Sequence, residues 1–119
     1  MRDHRKLRAF ELADSLVLSI YRETRFFPKE EQFGLTSQLR RATVSVASNI
    51  VEGCARNSHA DYVRFLDMAF GSIREVEYQL TVATRLDYLK PDAAVTLTKQ
   101  ADETARVPAG LLRSLRDQS

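Results

Sequence analysis

The chain has a single cysteine, Cys54, no tryptophan, and two histidines, His4 and His59, in 119 residues. One cysteine forms no intramolecular disulfide and makes structural zinc improbable, so a reducing cytoplasm is the expected setting. Gly 4 and Pro 3 are too few for the many tight turns of an all-β chain. No apolar run approaches the ~20 residues that cross a bilayer, and the charged residues 1–6 lack the apolar stretch and cleavage site of a signal peptide. Glycine-rich phosphate loops and dinucleotide fingerprints are missing. Neither histidine falls in a Glu-x-x-His pair of the kind that loads a di-iron site into a helical bundle. No catalytic, cofactor or metal site is expected, and Cys54 reads as a small packed residue rather than a nucleophile.

What remains is a soluble composition: 44% hydrophobic and 29% charged residues, with a length that suits one domain. Lys and Arg number 18 against 16 Asp and Glu, a surplus of +2 that falls short of a dedicated nucleic-acid binder. The densest basic segment is Arg2, Arg5, Lys6 and Arg8, relieved only by Asp3. It reads equally as a solvated helix start or as a phosphate-contacting arm.

Punctuation divides the chain into four helical segments, at 5–26, 31–55, 59–87 and 92–116. Pro28 pushes Phe27 out of helical geometry, Gly53 and Asn57 suit a helix end, and Pro91 suits a first turn. Three- and four-residue spacing gives each segment an apolar face. The faces are Phe10, Ala13, Val17, Tyr21 and Thr24; then Leu35, Leu39, Ala42, Val46 and Asn49; then Tyr62, Phe65, Ala69, Ser72, Val76, Leu80 and Ala83. Ala94, Leu97, Ala101, Ala105, Leu112 and Leu115 form the fourth, in which Pro108 predicts a kink or a shortened helix. Ser58 and Asp61 read as an N-cap with an acid in the first turn. Short connections make successive helices antiparallel neighbours, so the expected fold is an all-α, up-and-down four-helix bundle spanning residues 1–119.

The second segment is apolar on more than one side. Val44, Ala47, Val51 and Cys54 occupy a sector roughly 130° from the core stripe at 100° per residue. Strong polarity is confined to Arg41, Ser45, Ser48 and Glu52. The third segment adds Val63 and Phe70 away from its main stripe. Burial beneath loops and the fourth helix is one outcome. A bundle this short has little interior for a second face, which favours a contact between subunits through Val44, Ala47, Val51, Cys54, Val63 and Phe70. Arg41, Asn49, Glu52, Ser72 and Glu75 are the candidates for a structural polar layer, since buried amides and hydroxyls need partners.

Residues 38–53, from Gln38-Leu39-Arg40-Arg41-Ala42 through Ser45, Ser48-Asn49-Ile50 and Glu52-Gly53, closely resemble the bacterial four-helix-bundle family of ribosomal-RNA intervening-sequence proteins. That family includes the accessory variability determinants of diversity-generating retroelements. Residues 65–80 and the stretch Tyr21–Pro28 agree with it, so the similarity spans about residues 7–90. The resemblance implies an up-and-down bundle and a ring of five subunits. It also implies a place in intervening sequences of large-subunit ribosomal RNA genes for some members, and nucleic-acid binding alongside a reverse transcriptase for the strongly basic ones. The expected function is a non-enzymatic homopentameric scaffold or adaptor with itself or another protein as partner. The alternative is a nucleic-acid-binding accessory protein using Arg2, Arg5, Lys6, Arg8 and Arg40.

Overall fold

Ser58 opens the longest helix of the chain by accepting a hydrogen bond from the Asp61 N–H at 3.1 Å, as its sequence position predicts. In the computed structural model, which describes residues 2–118, four α-helices follow one another: α1 (Arg8–Thr24), α2 (Leu35–Cys54), α3 (His59–Arg85) and α4 (Pro91–Arg116). Pro91 occupies the first turn of α4. Asp87, at φ 61°, takes the left-handed conformation that closes α3, and the Tyr88 N–H reaches back to the Ala83 carbonyl at 3.0 Å.

Two segment starts differ from expectation. The first segment begins as a single 3₁₀ turn, His4–Lys6, capped by the Asp3 side chain, and Leu7 is extended before α1 starts. The second begins with a 3₁₀ turn, Lys29–Glu31, and α2 starts only after Gly34. There the Glu31 carboxylate accepts from the Leu35 N–H at 3.0 Å, supplying the cap that glycine lacks.

Side-chain pairs fix the direction of each neighbour. Ser45 meets Ser72, and Gly53 meets Phe65, so α2 and α3 run antiparallel. Arg40 reaches Tyr21 and Thr24 across the first corner, and Arg8 reaches Glu103 between α1 and α4. α1 packs on α2 and α4, and α3 packs on α2 and α4, without close approach across either diagonal. The result is an up-and-down four-helix bundle measuring 45 × 23 × 20 Å, its length set by the ~40 Å of a 27-residue helix.

The core stripes of the second, third and fourth helices fall where the spacing placed them, except that Leu35, Ser72 and Leu115 are half-buried. α1 is rotated. Its buried side is Ala9, Leu12, Ala13, Leu16, Ile20 and Thr24; of the expected stripe Ala13 and Thr24 are buried, Phe10 and Val17 are half-buried and Tyr21 is exposed. Both stripes have helical spacing, and the aliphatic one gains the interior. Of the two outcomes expected at Pro108, shortening does not occur. The helix continues to Arg116, with the proline ring fully buried in the core. Buried threonines are satisfied locally: Thr24, Thr43 and Thr104 each donate to the carbonyl four residues back, at 2.6 to 2.7 Å.

Candidate functional site

The rotation of α1 gives the second apolar sector of α2 a neighbour. Val17 of α1 and Val44, Ala47 and Val51 of α2 line one open groove of about 420 Å³, bordered by Asp14, Ser48 and Glu52. Toward the first corner it continues past Val44 into a second cavity, lined by Tyr21, Phe33, Arg40 and Arg41 among others. Along this outer seam Val44 is 38% exposed, Tyr21 41% and Phe33 90%. The apolar flanks of two adjacent helices therefore lie side by side, with Val44 exposed and Val17, Ala47 and Val51 half-buried.

The other expected contact residues do not join this strip. Cys54 is 1% exposed and belongs to the core, which corrects its placement on a subunit contact. On the helical wheel Cys54 falls at the inner edge of its sector, beside the fully buried Thr43 and Ile50, and burial pushes the thiol's pKa up, so it resists ionisation. Val63 and Phe70 are half-buried and packed against the core. They share the flank of α3 that carries His59 and Asp67, which bond the Leu115 carbonyl and Arg116 of α4. They thus belong to the α3–α4 seam and cannot share a face with Val44.

Among the expected polar-layer residues, the structure brings together Asn49 and Ser72 through Ser45, which the sequence reading left outside the layer. The Ser45 and Ser72 hydroxyls lie 3.0 Å apart, and the Asn49 amide donates to the Ser45 carbonyl and hydroxyl at 2.9 and 3.1 Å. Asn49 is 8% exposed, so this cluster satisfies a buried amide rather than presenting one. Arg41, Glu52 and Glu75 are exposed, and no carboxylate among the described residues pairs with Arg41. Their inclusion in a buried layer is corrected accordingly. Glu75 instead accepts from the Gln79 amide at 3.1 Å.

The basic candidates are mostly occupied. The Arg2 guanidinium lies 3.8 Å over the Tyr62 ring, and its backbone N–H caps the Cys54 carbonyl at the end of α2. Arg5 pairs with Asp3 at 3.0 Å, and Arg8 with Glu103 at 3.0 Å. Arg40 donates to the Thr24 hydroxyl and the Tyr21 carbonyl, at the C-terminal end of α1 where a cation complements the helix dipole. Only Lys6 has no such partner among the described residues. Pairings such as Arg8 with Glu103, 95 residues apart, have no local signal in the sequence.

No group of three or more His, Cys, Asp or Glu side chains among the described residues is placed to hold a metal ion, and no helix is long and apolar enough to cross a membrane. His4 stacks edge-on against Phe10, and the second histidine is held by α4.

The fold and the seam define a class: an all-helical bundle whose distinctive surface is an apolar groove between its first two helices. The chain belongs to the 23S rRNA-intervening sequence protein family, whose model matches residues 5–110. The match runs into α4, beyond the residue 90 at which the sequence resemblance stops. A crystal structure of a protein of unknown function from the S23 ribosomal protein family of Bacteroides thetaiotaomicron is similar in fold, with a TM-score of 0.81 at 20% identity over 87% of this chain and 97% of that one. Curated proteins give no match.

Proposed function

We propose that this chain is a non-enzymatic scaffold or adaptor that assembles with copies of itself through the α1–α2 seam, as a homopentamer in the cytoplasm. The observation that carries the reading is the apolar strip in the α1–α2 groove, in which Val44 is exposed and Val17, Ala47 and Val51 are half-buried. Contiguous apolar surface on a small soluble domain marks an interaction site. Small side chains on α2 let another helix approach closely. Asp14 and Glu52, which have no ion-pair partner among the described residues, supply at the rim of the strip the polar border that a specific contact has. The number five comes from the family resemblance.

Light scattering on the purified protein tests the reading. A particle of five times the 13.6 kDa chain mass is expected, and a monomer at micromolar concentration overturns it. The alternative, RNA or DNA binding through the N-terminal arm, has less in its favour. Arg2, Arg5, Arg8 and Arg40 already hold protein groups, which leaves Lys6 as the free cation of that set. Retardation of RNA or DNA that weakens steeply from low to moderate salt would restore that reading.

A further inference from the structure

The corner between α1 and α2 has a composition unlike the valine strip beside it. A cavity of about 490 Å³ opens there between Tyr21, Gln32, Phe33, Ser37, Arg40 and Arg41. Phe33 is 90% exposed and has no aromatic or cationic partner among the described residues. Arg40 is held flat against Tyr21, with its guanidinium 4.6 Å from the ring centre and two hydrogen bonds into the end of α1. Arg41 lines the same cavity, and its guanidinium has no ion-pair, hydrogen-bond or ring partner among the described residues, a freedom shared by Arg22, Arg85 and Arg113.

Charge points the same way. Between Tyr21 and Arg41 the chain carries Arg22, Arg25, Lys29, Arg40 and Arg41 against Glu23, Glu30 and Glu31, a surplus equal to the net +2 of the whole molecule. Glu31 is one of those acids and stays ionised, because the Leu35 N–H and the Tyr88 hydroxyl hold its pKa below the ordinary carboxylate value.

We infer that this corner is a binding site for a nucleoside phosphate, with the base stacked on Phe33 and the phosphate on Arg41. An open aromatic face beside arginine is the arrangement that takes a base with little regard to its identity. An unpaired guanidinium matches phosphate in charge and in its forked donors. Gln32 and Ser37 supply hydrogen-bonding groups at the rim. The ligand is either a free nucleotide or a nucleotide within a single strand. The corner site and the valine strip touch only at Val44, so this inference and the assembly reading stand or fall separately.

The experiment titrates the full chain with AMP by calorimetry and with a fluorescent oligoadenylate by anisotropy, using inorganic phosphate as the control. Scattering mass is recorded for every variant. Saturable binding of AMP assigns the site to free nucleotides. Binding of the oligomer alone assigns it to single strands. In either case Phe33→Ser and Arg41→Ala are each expected to weaken binding roughly five- to 150-fold with helical content unchanged. The inference is overturned if neither probe binds, if phosphate alone binds as well as AMP, or if both variants bind undiminished. It is also overturned if Phe33→Ser changes the particle mass in a protein that binds neither probe, because the ring is then a subunit contact.

Discussion

Gly53 shows how a single residue sets the distance between two helices. A Cβ at this position would stand 2.9 Å from the Phe65 Cβ, an atom bound to the backbone of α3 that cannot swing away. Gly53→Ala should therefore force α2 and α3 apart and cost about 1–3 kcal/mol by overpacking, read as a lower urea midpoint with unchanged slope. Glu31 works through charge instead. Its carboxylate is held below its ordinary 4.5, first by the Leu35 N–H and then by the Tyr88 hydroxyl. A group with a lowered folded-state pKa stabilises the fold above its unfolded value, and that contribution fades as pH falls through the folded one. Glu31→Gln should melt below the parent chain at neutral pH. The difference should shrink below pH 4.5 and vanish once the parent carboxyl is protonated. A gap that persists into strong acid would show that the glutamine changes packing rather than charge.

At the level of whole elements, α4 poses the sharpest competition. Pro108 removes one backbone hydrogen bond and crowds the preceding turn, for about 3 kcal/mol relative to alanine. Its ring is fully buried, and deleting two ring methylenes gives up about 1.6 kcal/mol of burial plus a small cavity. The helical term is the larger, so Pro108→Ala should raise stability by about 1 kcal/mol in a urea titration. A loss exceeding that amount would mean the ring wedge outweighs the backbone. The bundle itself was legible because Pro28, Ser58 and Pro91 punctuate it and each of the last three helices has a core stripe, although α2 carries a second apolar sector beside its own. The first helix carries two competing stripes, and spacing alone does not say which one faces inward. Val44, Ala47 and Val51 could be read off a helical wheel, while their neighbour Val17 was hidden inside a stripe assigned to the core. Cys54 sits at the edge of its sector next to Thr43 and Ile50, so it is buried with them. The fates of Arg8 and Arg40 depend on residues far along the chain, which local pattern does not reach.

For the whole molecule, the question is whether the α1–α2 seam holds copies together, and two substitutions of the same chemistry separate the answers. Val44 is exposed in the single chain, so Val44→Glu adds a solvated charge that the folded monomer tolerates. Within a contact between copies the same carboxylate would be buried without a partner, at a cost of several kcal/mol for every contact in the particle. Assembly should therefore fail while the circular dichroism and the melt of the bundle stay near those of the parent chain. Phe70 is the contrast, because it is half-buried against the core at the α3–α4 seam. Phe70→Glu should destabilise each chain by about 2–3 kcal/mol, somewhat less than the loss of a fully buried phenylalanine, and should lower the melting temperature at any protein concentration. Light scattering and thermal melts on the two variants distinguish the surfaces. A seam variant that keeps the parent's mass would remove Val44 from the contact. A Phe70 variant that dissociates without losing stability would place the opposite side of the bundle in the contact as well, since each contact of a five-membered ring joins two different patches.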